Sequence, residues 1–500
     1  MQLDLIAEFI RNILSPLREF LVLYIPNEWI MSLPAITLVA FGLMALAAGL
    51  RFNPIAFSFL GVVLATLEMI MFDPSVMSGH SFGVLFMRDA FTDLFIYIVL
   101  MVAFLVLMSS TLWGGDKGAY NFLLMISFAG ALWVIMATDL VALFLAWELM
   151  STPTYILVAL GPRREAVDGA TKYFVIGLLA TMLMLFGIAL TYGVAGTTEL
   201  SVLSSYVDSL WLNPVGNEPA AYTLLLAMVL FIVSFGFKVG IFPGWQWVPD
   251  AYASADGSVT AYLAGGSKKT GVSALIRILM IGFFFAKTEW APLIAGVAIL
   301  TMIIGNVLAL AQRDIMRMLA YSSIAMMGYL FIGVAAGNEI GIAAASFHAF
   351  THAIMKTAAF ILIWAMSYKL TKRITYDDLA GLSKRAPLAS ALFTILMLSL
   401  AGMPLTVGFW SKLVLFQSAV VADMWWLALI GLLNSVFSLG YYLRVLKYSY
   451  MEEPTDDSIL KLPMIPMTTV AICVAAVILL FVFPNVILDY AFAGAETFFP

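Results

Sequence analysis

Long apolar stretches constrain this chain more than any motif. They fall at 29–50, 54–72, 91–112, 119–138, 140–160, 171–194, 221–243, 259–286, 290–311, 315–336, 340–368, 387–420, 424–446 and 464–488. Most are long enough to cross a hydrocarbon core as a helix, and two, 259–286 and 387–420, exceed it. Of the 500 residues 63% are apolar and 11% charged, more apolar surface than a water-soluble fold can hide. The weaker, alternating segments of a β-barrel are absent from the pattern. The expected fold is therefore an all-α polytopic membrane protein with about fourteen transmembrane helices.

Lysine and arginine set the orientation. Loops after odd-numbered spans carry Arg51, Lys117, Arg163, Arg164, Arg313, Arg317, Lys369, Lys372, Arg373, Lys384, Arg385, Arg444, Lys447 and Lys461. Loops after even-numbered spans carry only Arg88 and Lys287. The positive-inside rule then puts the odd loops in the cytoplasm and both termini outside. The first 28 residues do not read as a signal peptide. Leu5, Ile6, Phe9, Ile10, Ile13, Leu14 and Leu17 recur at helical spacing among Asp4, Glu8, Arg11 and Arg18. That pattern predicts an amphipathic segment lying along the interface. Cys473, the one cysteine, cannot form an internal disulfide and reads as filler.

Seven bases remain inside spans: Lys172, Lys238, Lys268, Lys269, Arg277, Lys356 and Lys412. A charge at a helix centre costs about 2.5–3.5 kcal/mol on insertion scales, so several in one chain imply a polar route through the interior. Glu148 stands near the middle of span five, in "FLAWELMSTPTY", five residues before Pro153. It reads as a proton carrier, the other reading being a structural ion pair. Lys172 opens span six and is expected either to approach Glu148 or to snorkel to the interface. Pro153 is expected to loosen the cytoplasmic end of span five.

Lys238 lies in "FGFKVGIFPGWQWVPDAY" and Lys412 in "LAGMPLTVGFWSKLVLF". Glycines and prolines break both helices, and a break at membrane depth is tolerated where it lines a cavity. Spans seven and twelve are five apart, an odd number. If spans four to eight and nine to thirteen are repeats, the second enters from the opposite face, an inverted repeat with its functional helices broken. Lys268 and Lys269 follow Gly265 and Gly266. Neighbours point about 100° apart on a helix, so one of the two is expected to face the route. "GGSKKTG" lacks the order and preceding strand of a phosphate loop. His348, His352 and Lys356 share one face of span eleven at i, i+4, i+8. Two histidines without a third ligand make a weak metal site, so the reading is a proton route or packed, hydrogen-bonded rings.

"FLAWELMSTPTY", "FKVGIFPGWQWVPDAY", "RDIMRMLAYSSIAMMGYLFIGV" and "LAGLSKRAP…LSLAGMPLTVGFWSKLVLF" together resemble the antiporter-like proton-pumping subunits of respiratory complex I and its relatives. The resemblance runs over spans three to thirteen. It implies fourteen helices holding two inverted five-helix repeats, each a half channel. It gives Glu148 the role of the span-five acid and Lys238 that of the broken-helix lysine. Lys268 becomes the connecting lysine and Lys412 the terminal base. The N-type subunit is nearest: the chain stops soon after span fourteen, unlike the L-type, and has Lys412 where the M-type has glutamate. "HAFTHAIMK" departs from that pattern and is similar to L-type, M-type or Mrp antiporter subunits.

The expected organisation is an interfacial segment at 1–28, three helices at 29–113, half channels at 119–286 and 290–446, and a last helix with tail at 464–500. The expected function is proton translocation through Glu148, Lys172, Lys238, Lys268, His348, His352, Lys356 and Lys412, driven by redox work in a partner. That partner is a quinone reductase or a methanogen-type deazaflavin dehydrogenase, joined to sibling antiporter-like subunits in a prokaryotic cell membrane. No cysteine cluster or dinucleotide fingerprint occurs, so no cofactor, metal or nucleic acid is expected. The rivals are a subunit of an Mrp-type cation/proton antiporter or membrane-bound hydrogenase, and a scaffold whose charges are structural pairs.

Overall fold

The computed structural model describes residues 2–49, 51–72, 79–212, 216–454, 456 and 458–499, and it is almost wholly helical. Among the described residues, ten helices are long and apolar enough to span a membrane, and four shorter apolar ones join them. Leu33–Ala48, Ile55–Met71 and Ala90–Ser110 come first. Lys117–Met136, Leu140–Ala159, Ala166–Ala195 and Glu218–Val239 follow, the last continuing after a loop as Trp247–Ser254. The 259–286 stretch is buried through Met280 and runs Gly257–Tyr262, a π turn at Leu263–Ser267, Lys268–Arg277 and a second π turn at Ile278–Gly282. Then come Lys287–Ala311, Ile315–Ala336, Glu339–Leu370, the pair Pro387–Ala401 and Val407–Val421, Trp425–Met451 and Met464–Val482. Each expected apolar stretch thus holds one helix or one interrupted helix.

Burial sorts these helices. The most apolar windows of Ile315–Ala336 and Glu339–Leu370 are 94% buried, whereas those of Trp425–Met451 and Met464–Val482 are only 33% buried. The first two form the centre of the bundle, and the last two present apolar side chains outward. Gln2–Tyr24 is one helix with Pro16 inside it. It exposes Phe9, Ile13, Leu17 and Phe20. Leu14 and Leu21 turn the other way, onto Ile30, Met71 and Phe72. Pro153 does not interrupt Leu140–Ala159. The structure thus gives no break there, and the expected loosening is not visible.

Three local devices occur twice along the chain, at matching points. Asp139 caps Leu140–Ala159 through the N–H groups of Val141 and Ala142, and Asp314 caps Ile315–Ala336 through the N–H of Arg317. Each cap also makes an isolated antiparallel bridge to the segment after the next helix, Asp139 with Glu199 and Asp314 with Thr375. Glu218–Val239 and Pro387–Ala401 both end on a left-handed glycine, Gly240 at φ 74° and Gly402 at φ 86°. Both ends carry the same double cap. Gly240 and Ile241 donate to Phe237 and Gly236, and Gly402 and Met403 donate to Ser399 and Leu398.

Close backbone approach is the third device. A Cβ built on Gly130 would stand 2.5 Å from Met150 N, and one on Gly305 would stand 2.5 Å from Ala325 N. These glycines let Lys117–Met136 meet Leu140–Ala159, and Lys287–Ala311 meet Ile315–Ala336, backbone to backbone. Gly130→Ala is expected to force the helices apart at a cost of about 1–3 kcal/mol. A lowered thermal midpoint of the detergent-solubilised protein would register it; an unchanged midpoint would show that the pair tolerates the added methyl.

Candidate proton path

Glu148 sits half-buried on Leu140–Ala159. Its Oε1 accepts from Thr181 at 2.8 Å and its Oε2 from Thr152 at 3.4 Å. Lys238 is fully buried at the end of Glu218–Val239. Its Nζ donates to Tyr173 Oη at 2.7 Å, Ser151 Oγ at 3.1 Å and Thr154 Oγ1 at 3.5 Å. Lys238 thus bonds the helix that carries Glu148 about one turn beyond the acid, and the two make no direct ion pair. Tyr173 is held in place by stacking on Trp247 at 4.0 Å, and Trp247 donates to Phe237 O at 2.9 Å. The half-helix beyond the break therefore orients the phenol that holds Lys238.

Lys268 lies at the same break from the other side. A Cβ on Gly240 would be 3.1 Å from Lys268 Nζ, so the ammonium group stands at the C-terminal end of Glu218–Val239. The partial negative charge of the last carbonyls favours a cation there. Lys268 Nζ also donates to Ser323 at 3.4 Å, on Ile315–Ala336, and lies 5.3 Å from the centre of the Tyr252 ring. Ser322, next along that helix, accepts from Lys356 Nζ at 2.6 Å and is bonded to Tyr442. Lys356 also donates to Leu319 O at 2.9 Å.

Lys412 repeats the helix-end arrangement at the second break. Its Nζ donates to Ala401 O, the end of Pro387–Ala401, at 2.9 Å and to Ser435 at 2.8 Å, and lies 4.7 Å from the centre of the Tyr329 ring. The two breaks differ in one respect. Lys238 comes two residues before its left-handed glycine and Lys412 ten residues after. His348 Nδ1 bonds Ser411, the residue before Lys412, at 2.6 Å. His348 and His352 rings lie nearly parallel, 5.8 Å apart, and His352 Nδ1 is 2.6 Å from Lys269 Nζ. Both lysines of the Lys268–Lys269 pair are fully buried, where one of the two was expected to face the route. The helix carrying them is enclosed by protein all round, so both directions are interior.

Lys172 does not reach Glu148. It is 58% exposed, and its Nζ pairs with Asp250 at 2.6 Å, which also binds Arg317. Asp250 on Trp247–Ser254 thus ties Ala166–Ala195 to Ile315–Ala336. On the basic loops, burial pushes the Asp378 carboxyl up, but hydrogen bonds from Lys372 and Thr375 outweigh it and hold the group below its ordinary value.

Several groups escaped the sequence reading. Serines and tyrosines such as Ser151, Tyr173, Ser322, Ser323 and Ser411 carry no insertion penalty that would single them out. Asp250 and Asp256 also went unread, although an acid beside a broken span is a signal that could have found them; Asp256 caps Gly257–Tyr262 and accepts from Tyr120 at 2.9 Å. Arg88, read as a loop base, is buried and forms a two-pronged pair with Asp93 at 2.7 and 2.9 Å. Arg277 is buried on Asp89 and Thr92. Glu68, on Ile55–Met71, accepts from Thr37 at 2.7 Å.

Known proteins match this architecture. The family model described as "NADH:quinone oxidoreductase/Mrp antiporter, TM" fits residues 137–438. F(420)H(2) dehydrogenase subunit N of Methanosarcina mazei is 34% identical, covering 93% of this chain and 98% of that one. NADH-quinone oxidoreductase subunit N 1 of Solibacter usitatus is 34% identical over 84% of this chain and 86% of its own. A chain of respiratory complex I from Thermus thermophilus superposes with a TM-score of 0.75 at 25% identity, covering 91% of this chain and 98% of that one. The broken helices with their buried lysines and these matches agree, and the chain belongs to the NADH:quinone oxidoreductase/Mrp antiporter family of multi-pass membrane proteins.

Proposed function

We propose that this chain is the N-type, proton-translocating subunit of a complex I-type respiratory dehydrogenase, without redox chemistry of its own. One observation carries the reading. Buried bases run from one helix break to the other, each bonded to hydroxyls, carbonyls or another base rather than to a carboxylate. Such groups can accept and release a proton without pulling a counter-ion apart. Glu148 is the inlet acid, and Lys238, Lys268, His352, Lys356, His348 and Lys412 are the carriers. Lys172 tunes the cytoplasmic end through Asp250. A charge change at one member shifts the proton affinity of the next, which is how redox work in a partner reaches this chain.

The partners are other membrane subunits, among them sibling antiporter-like chains, and the electron donor is a deazaflavin or nicotinamide dehydrogenase module. The duplicated caps, bridges and left-handed glycines support two inverted units, 119–286 and 290–446, as half channels. The exposed Phe9, Ile13, Leu17 and Phe20 support an interfacial first helix. The archaeal and bacterial relatives support a prokaryotic cell membrane, and the basic odd loops support both termini outside.

The test is purification of the native complex and its reconstitution in vesicles without sodium. Donor oxidation is expected to acidify the lumen at the full rate, and sodium is expected to add nothing. A strict sodium requirement, together with co-purification of antiporter subunits and no dehydrogenase, would make the chain an Mrp-type antiporter subunit instead. A chain that isolates alone and carries protons unaided would be an independent transporter.

A further inference from the structure

Lys268 and Lys269 are consecutive, so they point about 100° apart. On an edge helix one of them would meet lipid. Every residue from Gly257 to Met280 is buried, and both lysines point into protein. The π turn Leu263–Ser267 directly precedes them, and Ala264 within it offers its carbonyl to Lys269 Nζ at 2.6 Å. Such turns tend to mark functional places in a helix. The other partner of Lys269 is His352 Nδ1, also at 2.6 Å. Among the described residues this is the one direct contact between two titratable nitrogens along the path; elsewhere a hydroxyl or carbonyl intervenes.

We propose that Lys269 is a proton carrier in its own right. It hands a proton to His352 and so joins the first unit to the His348–Lys412 side of the second. Lys268 leads through Ser323 and Ser322 to Lys356 and Tyr442, so the lysine pair is a fork with one branch on each member. The inference rests on the translocation reading above.

The chemistry of the contact is restrictive. Two nitrogens this close need one proton and one lone pair between them. With one excess proton on the pair, either an ammonium donates to the neutral ring or an imidazolium donates to the neutral amine. Passing between these states breaks the Nζ–H bond and forms Nδ1–H along the same line, and the total charge stays one. Lys268 neighbours Lys269 on its own helix, and His348 and Lys356 lie one turn to either side of His352 on Glu339–Leu370. No described carboxylate bonds to any of these five groups. A proton arriving on Lys268 or Lys356 therefore repels the one on Lys269, and His352 is the base in contact with it. Three ammonium hydrogens meet only two acceptors here, a poor site for a permanently charged structural lysine.

Lys269→Met, Lys269→Arg and Lys269→His in the assembled complex test this. Met fills the volume, Arg keeps a charge it cannot release, and His keeps a releasable proton. Coupled electron transfer is expected to fall at least about tenfold in both Met and Arg variants and to recover in part in the His variant. Donor oxidation by an uncoupled, artificial acceptor is expected to stay unchanged and reports assembly. Pumping at the wild-type rate in Lys269→Met, or full rescue by Arg, overturns the proposal. Lys238→Met is the companion variant. If it also pumps normally, the translocation reading itself fails; if it is inactive while Lys269→Met is normal, only the role of Lys269 fails.

Discussion

Lys238→Ala is expected to assemble normally and to lose proton pumping, with coupled turnover falling at least about tenfold. The fold tolerates the change because no carboxylate is stranded. Ser151, Thr154 and Tyr173 lose a shared donor, but Thr154 already bonds Tyr173 at 3.0 Å and donates to Ser151 O at 2.6 Å. Removing a buried base also removes its desolvation cost, which offsets the lost hydrogen bonds. The measurements are complex yield, uncoupled donor oxidation and lumen acidification. Lys238→Arg separates charge from proton release. The arginine keeps a cation beside Ser151 but holds its proton at any working pH, so pumping is expected to stay lost. Full pumping in Lys238→Ala would make this lysine structural and return the scaffold reading to first place.

Asp89→Ala is expected to do the opposite: little effect on the chemistry of the path and a large effect on stability. Asp89 accepts from Thr92 N at 2.7 Å, capping Ala90–Ser110, and receives Arg277 Nη2 at 3.0 and 3.1 Å. Nε and Nη1 of Arg277 have no hydrogen-bond partner among the described residues, and its guanidinium packs 5.5 Å from the centre of the Phe91 ring. Without Asp89 the guanidinium is buried with only the Thr92 hydroxyl. Breaking one side of a buried pair costs about 3–5 kcal/mol, and the lost cap adds about 1 kcal/mol. Loss of assembled complex and a lower denaturation midpoint in detergent are the readouts. The double variant Asp89→Leu with Arg277→Met is expected to recover most of the loss, because both charges then leave together. A single variant as stable as wild type would mean that water reaches Arg277.

The two variants show why a single rule about charges in membranes is too coarse here. Arg277 and Lys238 have the same sequence signature, a base in an apolar run. One faces a carboxylate and closes a joint between distant segments. The other faces hydroxyls and leaves no carboxylate paired to it.

Much of this was legible in the sequence. Apolar run lengths marked each span, since a bilayer-crossing helix must bury about 20 residues whatever its neighbours are. Glycine and proline marked both breaks, because Gly240 and Gly402 need left-handed backbone that other residues rarely adopt. The cost of burying a charge singled out Glu148, Lys238, Lys268, Lys356 and Lys412 before any contact was known.

Only the tertiary structure decided who touches whom. The sequence allowed Lys172 to approach Glu148, but Asp250, 78 residues further on, lies closer. It allowed one inward lysine of the pair at 268 and 269, because it could not show that the helix is enclosed on every side. It counted Arg88 as a loop charge, because Asp93 on the following helix turn and Met69 O across the bundle supply partners that spacing alone does not reveal. Hydropathy and backbone preference act over a few residues and can be read along the chain. The partner of a buried charge is chosen by packing between segments far apart in sequence.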